Sequence, residues 1–293
     1  MNFMCFGEVL WDVFPEYQNI GGAPLNMASR LSSFNNQVYM VSRVGRDKKG
    51  EELLHYMDHM GVNTAFVSSD EVYKTGEVLV NLDNLGVATY TILNPVAWDF
   101  IPDSPKLKFV ASKVDAFFYG SLAARSPVSR TTLFNLLELK CFKVFDVNLR
   151  FPHYSKTVLL ELIEKADFIK MNDEELYFIA DMLGSKYNSI EQNITFISRV
   201  TKTEHVCVTK GRYGAVLWYN QKFYYNSGYR IKVKDTVGSG DSFLASLITK
   251  LLSGEAPQSA INFACAVGAL VAQEKGANPE LSMESIKQFI YPE

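Results

Sequence analysis

The chain has 293 residues, 47% apolar and 21% charged, with 29 basic against 32 acidic side chains and a formal net charge of -3, a composition that suits a soluble globular protein with a large core. The basic residues are scattered, which excludes nucleic acid or an anionic membrane as the main partner. The opening stretch MNFMCFGEVLWDVF lacks a basic leader and carries Glu8 and Asp12, so neither a signal peptide nor a spanning helix is expected, and the location expected is cytoplasmic.

In chain order, periodicity predicts a strand over 3–9, a helix over 23–33, a strand over 38–43 and a helix over 48–59. Residues 75–94, TGEVLVNLDNLGVATYTILN, then break the rhythm. They read as two strands joined by the turn DNLG (83–86), with Val78, Val80 and Leu82 facing Ala88, Tyr90 and Ile92 or their neighbours. Such a hairpin needs its apolar face covered, and an extended piece around 10–20 is the natural partner, which makes a small β lid. Alternation resumes with a strand over 115–119, a helix over 127–138, a strand over 142–147, a helix over 157–164 and a strand over 167–170. Helices over 173–183 and 189–200, a strand over 205–209 and paired strands over 214–219 and 222–226 follow. Buried runs such as DAFFYG and KVFDV between helices indicate a mostly parallel sheet covered on both faces, whose ligands bind at the carboxyl ends of the strands. Internal repeats and linkers are absent. Cys5, Cys141, Cys207 and Cys265 lie far apart in apolar runs and read as small buried hydrophobes. With no HExxH and no paired CxxC, a protein-held transition metal is not expected.

Near the end stands DTVGSGDSF, residues 235–243. Before it, Tyr229, Ile231 and Val233 alternate with Arg230, Lys232 and Lys234, the period of a strand. After it, Phe243, Leu244, Leu247, Ile248, Leu251 and Leu252 recur at helical spacing and stop at Gly254. A helix start offers amides without intrahelical partners and partial positive charge, and Gly238, Ser239 and Gly240 are small enough for an anion to reach them. Asp241 puts a negative charge in that anion site. As a helix cap it is ordinary; as a base it would take a proton from a hydroxyl that attacks a bound phosphate. There is no GxxxxGK[ST], and GSGDSF lacks the dinucleotide-binding context, so a phosphate site here is of another kind.

Four more stretches bear on that kind. GGAPLN (21–26) places Gly21, Gly22 and Asn26 at a helix start, where the plain alternative is a turn and cap. GEVLWD (7–12) ends on Asp12, whose carboxylate suits two sugar hydroxyls or, plainly, solvent. IKMNDEEL (169–176) ends a strand at Lys170 and sets Asn172 and Glu175 on one helix face. VTKGRYGA (208–215) joins two strands through Thr209, Gly211 and Gly214, either a phosphate contact or a bare turn.

With GGAPLN, VGRDKKG, KMNDEE, VTKGRYG and DTVGSGD in this order, the chain resembles the ribokinase-like (PfkB) carbohydrate kinases from about residue 3 to 290. Ser239 stands where that family usually has alanine. The resemblance implies one ribokinase-like domain over 1–293, a three-layer α/β/α fold with a mostly parallel central sheet and a small β-sheet lid from about 10–20 and 75–97, the lid also serving homodimer contact. It implies Asp241 as general base with Gly238, Ser239 and Gly240 as anion hole, and Asp12, Gly21, Gly22 and Asn26 on the sugar. Lys170, Asn172, Thr209, Gly211, Gly214 and Cys265 would face the nucleotide, ATP, with Asn172 and Glu175 ordering Mg²⁺ through water. Asp235, Val237, Val271, Glu274 and Gly276 match the positions of a K⁺ site, although Glu280 stands where serine is frequent.

DVNLR (146–150) resembles a stretch of fructokinases and of 2-keto-3-deoxygluconate kinases and puts Asn148 and Arg150 near substrate or γ-phosphate; a guanidinium suits a sugar-acid carboxylate as well as a phosphate. FYGSLAARS (118–126) and NPVAWDF (94–100) look more like bacterial fructokinases, with Trp98 either on the sugar's C–H face or in the lid core. The expected reaction is transfer of the γ-phosphate of ATP to a primary hydroxyl, fructose giving fructose 6-phosphate. The alternatives are 2-keto-3-deoxygluconate, ribose or a nucleoside as acceptor, a sugar-sensing protein without turnover, and a nucleotide-binding structural module.

Overall fold

A computed structural model of the chain describes residues 1–82 and 88–292; the expected DNLG turn at 83–86 lies outside them. The chain forms two compact units, Met1–Cys141 and Phe142–Glu293.

In the first unit the elements are β1 (Asn2–Phe6), β2 (Leu10–Val13), β3 (Gln18–Gly21), α1 (Ala23–Ser33), β4 (Gln37–Gly45), α2 (Lys48–His59), β5 (Asn63–Asp70), β6 (Gly76–Leu82), β7 (Ala88–Ile92), a 3₁₀ turn (Ala97–Phe100), α3 (Pro105–Ala111), β8 (Ala116–Gly120) and α4 (Pro127–Leu137). β8, β1, β4 and β5 lie side by side, all parallel. β1 sits between two neighbours, and Phe3, Met4, Cys5 and Phe6 are all buried, which is why its sequence is a continuous apolar run. Phe3 meets Phe118 of β8 edge to face at 5.7 Å. β5 was not expected: it lies at the edge of the sheet with few buried residues, so it carries little hydrophobic signal.

The same unit holds a separate four-stranded sheet in the order β3-β2-β6-β7. The β6–β7 register pairs Val78 with Ile92, Val80 with Tyr90 and Leu82 with Ala88, as the alternation predicts. Leu10, Val78 and Val80 form its buried cluster, with Phe14 and Ile92 packed against them.

The second unit contains β9 (Phe142–Asp146), α5 (Lys156–Glu164), β10 (Phe168–Asn172), α6 (Asp173–Met182), α7 (Ile190–Thr201), β11 (His205–Thr209), β12 (Ala215–Tyr219), β13 (Lys222–Asn226), α8 (Ser239–Leu252), α9 (Pro257–Ala272) and α10 (Met283–Ile290). β9, β10 and β11 are parallel, and β12 and β13 continue antiparallel. The expected fold class, a mostly parallel α/β architecture with helices and a small second sheet, is therefore the one observed.

One expected strand is absent. Residues 229–234 are irregular, and the apolar members of the alternation are not buried alike: Tyr229 and Ile231 are half-buried and Val233 is exposed. The Tyr229 ring lies 4.9 Å from Phe289 of α10, and the Lys234 amide donates to Ala272 O at the end of α9. α9 went unrecognised because its sequence is apolar nearly all round, with ten buried residues, so it shows no one-sided period. Among the described residues no helix is long and apolar enough to cross a membrane.

Candidate active site

In the first unit the expected sugar residues gather at the joint between the small sheet and α1. Asp12 lies half-buried on β2 in register with Asn19 of β3 and Val78 of β6. Its carboxylate occupies the space where a side chain on Gly21 would begin, so the glycine is the condition for the acid's position. Gly22, with φ 111°, precedes α1, and a Cβ there would collide with Glu8 O; an L side chain fits neither the space nor the dihedral. Asn26 is buried one turn into α1, its amide donating to Gly22 O at 2.9 Å.

Trp98 belongs to the core. It is fully buried with its ring under the Arg125 guanidinium at 3.9 Å, and its indole abuts Gly76. Arg125 in turn is forked on Asp99 with two bonds of 2.7 Å and donates to Leu93 O just after β7. That ring face is thus occupied by protein, the lid-core alternative for this tryptophan.

In the second unit DVNLR, KMNDEE and GSGD meet. The register sets Asp146 at the end of β9 beside Lys170 of β10, and Lys170 Nζ donates to Asp146 Oδ1 at 3.0 Å with both side chains buried. Burial works to lower the Lys170 pKa, but Asp146, then Glu175 and Asp241, outweigh it and raise the value above 10.5. A Cβ on Gly240 would stand 3.4 Å from Lys170 Nζ. The ammonium therefore lies beside the first turn of α8, where Asp241 sits half-buried.

Asn172 and Glu175 form a reciprocal cap: Glu175 N donates to Asn172 Oδ1 at 2.7 Å and Asn172 N to Glu175 Oε2 at 2.9 Å. The other Glu175 oxygen accepts from Leu149 N at 2.8 Å, so this acid ties the DVNLR loop to the start of α6. Burial pushes the Glu175 carboxyl up despite the pull of Lys170. Asn148 adopts φ 38° in that loop. Arg150 is exposed and donates to Leu149 O at 3.0 Å.

The small-residue turn is set by close packing. Gly238 takes φ 74°, and a Cβ there would overlap Ala277. Ser239 donates its hydroxyl to Gly268 O of α9 at 2.8 Å, which satisfies the group that alanine would lack. Its amide donates to Thr236 O at 3.2 Å, so of the expected anion-hole amides the one at 239 is turned toward protein. Gly240 and Asp241 lie in the first helical turn, where amides have no intrahelical acceptor.

Thr209 ends β11, its hydroxyl 3.5 Å from Met171 O. Gly211 takes φ 53° with open space around its α-carbon, whereas Gly214, at φ 77°, is walled by Asn226 and Gly228. Cys265 is buried on α9, and burial pushes its thiol up to about 12; it acts as a small hydrophobe at neutral pH. Asp235 accepts from Val237 N at 3.0 Å and Gly276 N at 3.1 Å, joining two loops. Val271 O accepts from Glu274 N at 3.0 Å, Glu274 pairs with Lys234 at 3.2 Å, and Glu280 is exposed. Carboxylate and carbonyl oxygens from these positions are the donor type that a hard cation takes. Asp146 had no assigned role in the sequence, although an acid ending the apolar run KVFDV was a readable signal.

The pfkB family carbohydrate kinase profile matches residues 6–283. The fold and these motifs define a ribokinase-like sugar kinase, and the chain belongs to the pfkB family. It is 27% identical to a fructokinase of Salmonella typhimurium over 92% of this chain and 93% of that protein, and 27% identical to a fructokinase of Solanum tuberosum over 96% and 92%. Among solved structures it superposes on a double mutant of the Vibrio cholerae O395 fructokinase, bound to fructose, ADP and potassium ion, with TM-score 0.84 at 25% identity over 99% of this chain and 98% of that one. The Xylella fastidiosa fructokinase with bound ATP gives TM-score 0.88 at 21% identity over 99% and 98%, a likeness of fold.

Proposed function

We propose that this sugar kinase phosphorylates fructose, transferring the γ-phosphate of ATP to its primary hydroxyl to give fructose 6-phosphate. The carrying observation is Asp241 in the first turn of α8, behind a glycine with φ 74° and beside the Lys170 ammonium. Phosphoryl transfer needs in-line placement of the alcohol and stabilisation of charge on the transferred oxygens. In this reading Asp241 accepts the hydroxyl proton, and the first-turn amides with Lys170 meet the developing negative charge. Asp12, Gly21, Gly22 and Asn26 hold the sugar; Thr209 and Gly211 meet the nucleotide phosphates, and Gly211's open left-handed conformation leaves room for them. The oxygens of Asp146, Glu175 and Asn172 suit a hydrated Mg²⁺, which supplies charge neutralisation at the phosphates when bound. Those around Asp235 suit a monovalent cation.

The choice of fructose is supported by the fructokinase names of its relatives at 27% identity. A neighbour of the same fold is the aminoimidazole riboside kinase of Salmonella enterica, with TM-score 0.81 at 21% identity over 99% of this chain and all of that one, so a nucleoside belongs in the test. ADP release measured over fructose, ribose, 2-keto-3-deoxygluconate and a nucleoside is expected to give fructose the highest kcat/KM, by about tenfold or more. Ribose, the keto-deoxy acid or the nucleoside outrunning fructose would replace it, and sugar binding without ADP from any acceptor would make the chain a sensor.

A further inference from the structure

Of the five motifs GGAPLN, VGRDKKG, KMNDEE, VTKGRYG and DTVGSGD, VGRDKKG alone has no part in the reaction above, and its geometry is built around a single carboxylate. Asp47 caps α2: Oδ1 accepts from Gly50 N at 2.9 Å and from the Thr75 hydroxyl at 2.7 Å, while Oδ2 accepts from Thr75 N at 2.9 Å. The same hydroxyl accepts from Gly45 N at 3.0 Å. Side chains at 45 or 50 would collide with this knot: a Cβ on Gly45 meets Asp47 and Thr75 N, and one on Gly50 meets Gly45 O and the Thr75 hydroxyl. Burial works to raise the Asp47 pKa, but the Thr75 amide and hydroxyl, the Gly50 amide and the Lys74 charge outweigh it and hold the carboxyl below its ordinary value. The acid is therefore ionised at neutral pH, and charged acceptors make the stronger hydrogen bonds.

Thr75 is fully buried and immediately precedes β6. On the far side, Gly76 lies under the Trp98 indole, and the segment leading to Trp98 is tied back by Ala97 N donating to Lys74 O at 2.8 Å. β6 then runs parallel to β2, with Gly76 opposite Leu10 and Val78 opposite Asp12. Two further contacts join α2 to these same strands: Lys49 Nζ to Glu77 at 3.0 Å, and the Trp11 indole N–H to Lys49 O at 3.1 Å. The start of α2 thus grips the root of β6, and β6 sets the strand that carries Asp12.

We propose that Asp47 is a positioning residue for sugar binding, acting through Thr75 and the β6–β2 register on the carboxylate of Asp12. The inference rests on the reading that Asp12 holds the sugar.

Asp47→Asn isolates the role, because asparagine caps a helix about as well as aspartate, so α2 keeps its cap while an NH₂ replaces the acceptor of Thr75 N. With the fastest acceptor of the sugar panel as varied substrate, Asp47→Asn is expected to raise the sugar KM about tenfold or more, with nucleotide KM within about twofold. Thr75→Val, which keeps shape and drops the hydroxyl, is expected to act in the same direction and Thr75→Ser to restore most of the affinity. In an Asp12→Ala background the Asp47→Asn effect on sugar KM should largely vanish, since both act on one contact. An unchanged sugar KM in Asp47→Asn, or equal rises in sugar and nucleotide KM, overturns the proposal while leaving the sugar site standing. An Asp12→Ala variant with normal sugar KM overturns both.

Discussion

Asp241→Asn is expected to lower kcat by about 10²–10⁴, the range of a positioned general base, while sugar KM and the unfolding midpoint change little. Asparagine keeps the size of the side chain in the first turn of α8 and gives up only the charge. Loss of a first-turn acid costs about 0.3–1 kcal/mol against the helix dipole, too little to unfold a chain of this size. Lys170 keeps its 3.0 Å bond to Asp146 in the variant, so the buried pair survives and a fall in rate cannot be charged to its collapse. A drop in kcat with constant sugar KM is the signature of an interaction made in the transition state. Steady-state ADP release and calorimetric sugar binding on the same preparation separate the cases. Near-normal kcat removes Asp241 from the chemistry and leaves it as a helix-start acid; lost sugar binding with normal structure makes it a ligand of the acceptor.

Strong periodicity made most of the scaffold legible. β1, β8 and β9 are apolar runs, the last two flanked by helices, and the β6–β7 register follows from alternate residues because shifting it by one would turn Val78 and Val80 outward. β5 at a sheet edge and α9, apolar nearly all round, escaped because their burial is set by neighbours distant in sequence; the short helices α3 and α10 were not read either, and residues 229–234 are irregular despite their alternation. The same limit applies to the site. Small residues at 21, 22, 238 and 240 announced close approach, but what approaches is visible only in three dimensions: the Asp12 carboxylate at Gly21, Ala277 at Gly238 and Lys170 at Gly240. For Trp98 the sequence offered a place on the sugar's C–H face or, as is more frequent for a lid aromatic, in the lid core, and the ring is fully buried with Arg125 on its face. The acids ending KVFDV and within VGRDKKG were visible in the sequence, but the partner of each was not, standing 24 residues away for Asp146 and 28 for Asp47.

Lys170→Met is expected to destabilise the protein by about 3–5 kcal/mol, the cost of stranding a buried charge when one partner of an ion pair is removed. Asp146 is 3% exposed, its Oδ1 takes the Lys170 bond, and its Oδ2 is buried with no hydrogen-bond partner among the described residues. Methionine fills the volume of the lysine stem but leaves that carboxylate facing Glu175 and Asp241 with no cation between them. The raised Lys170 pKa stabilises the fold fully below 10.5, and that contribution is lost only as pH climbs through the still higher folded-state value. Urea unfolding at pH 7 therefore reads the whole effect. Adding Asp146→Asn to Lys170→Met should recover a large part of the loss, because a neutral pair avoids the desolvation of either ion. A Lys170→Met variant of native stability at pH 7 would mean that the interior around Asp146 already supplies another donor. A deficit unchanged by Asp146→Asn would place the cost in packing of the stem, and Lys170 would then have to be judged by its effect on turnover at Asp241 alone.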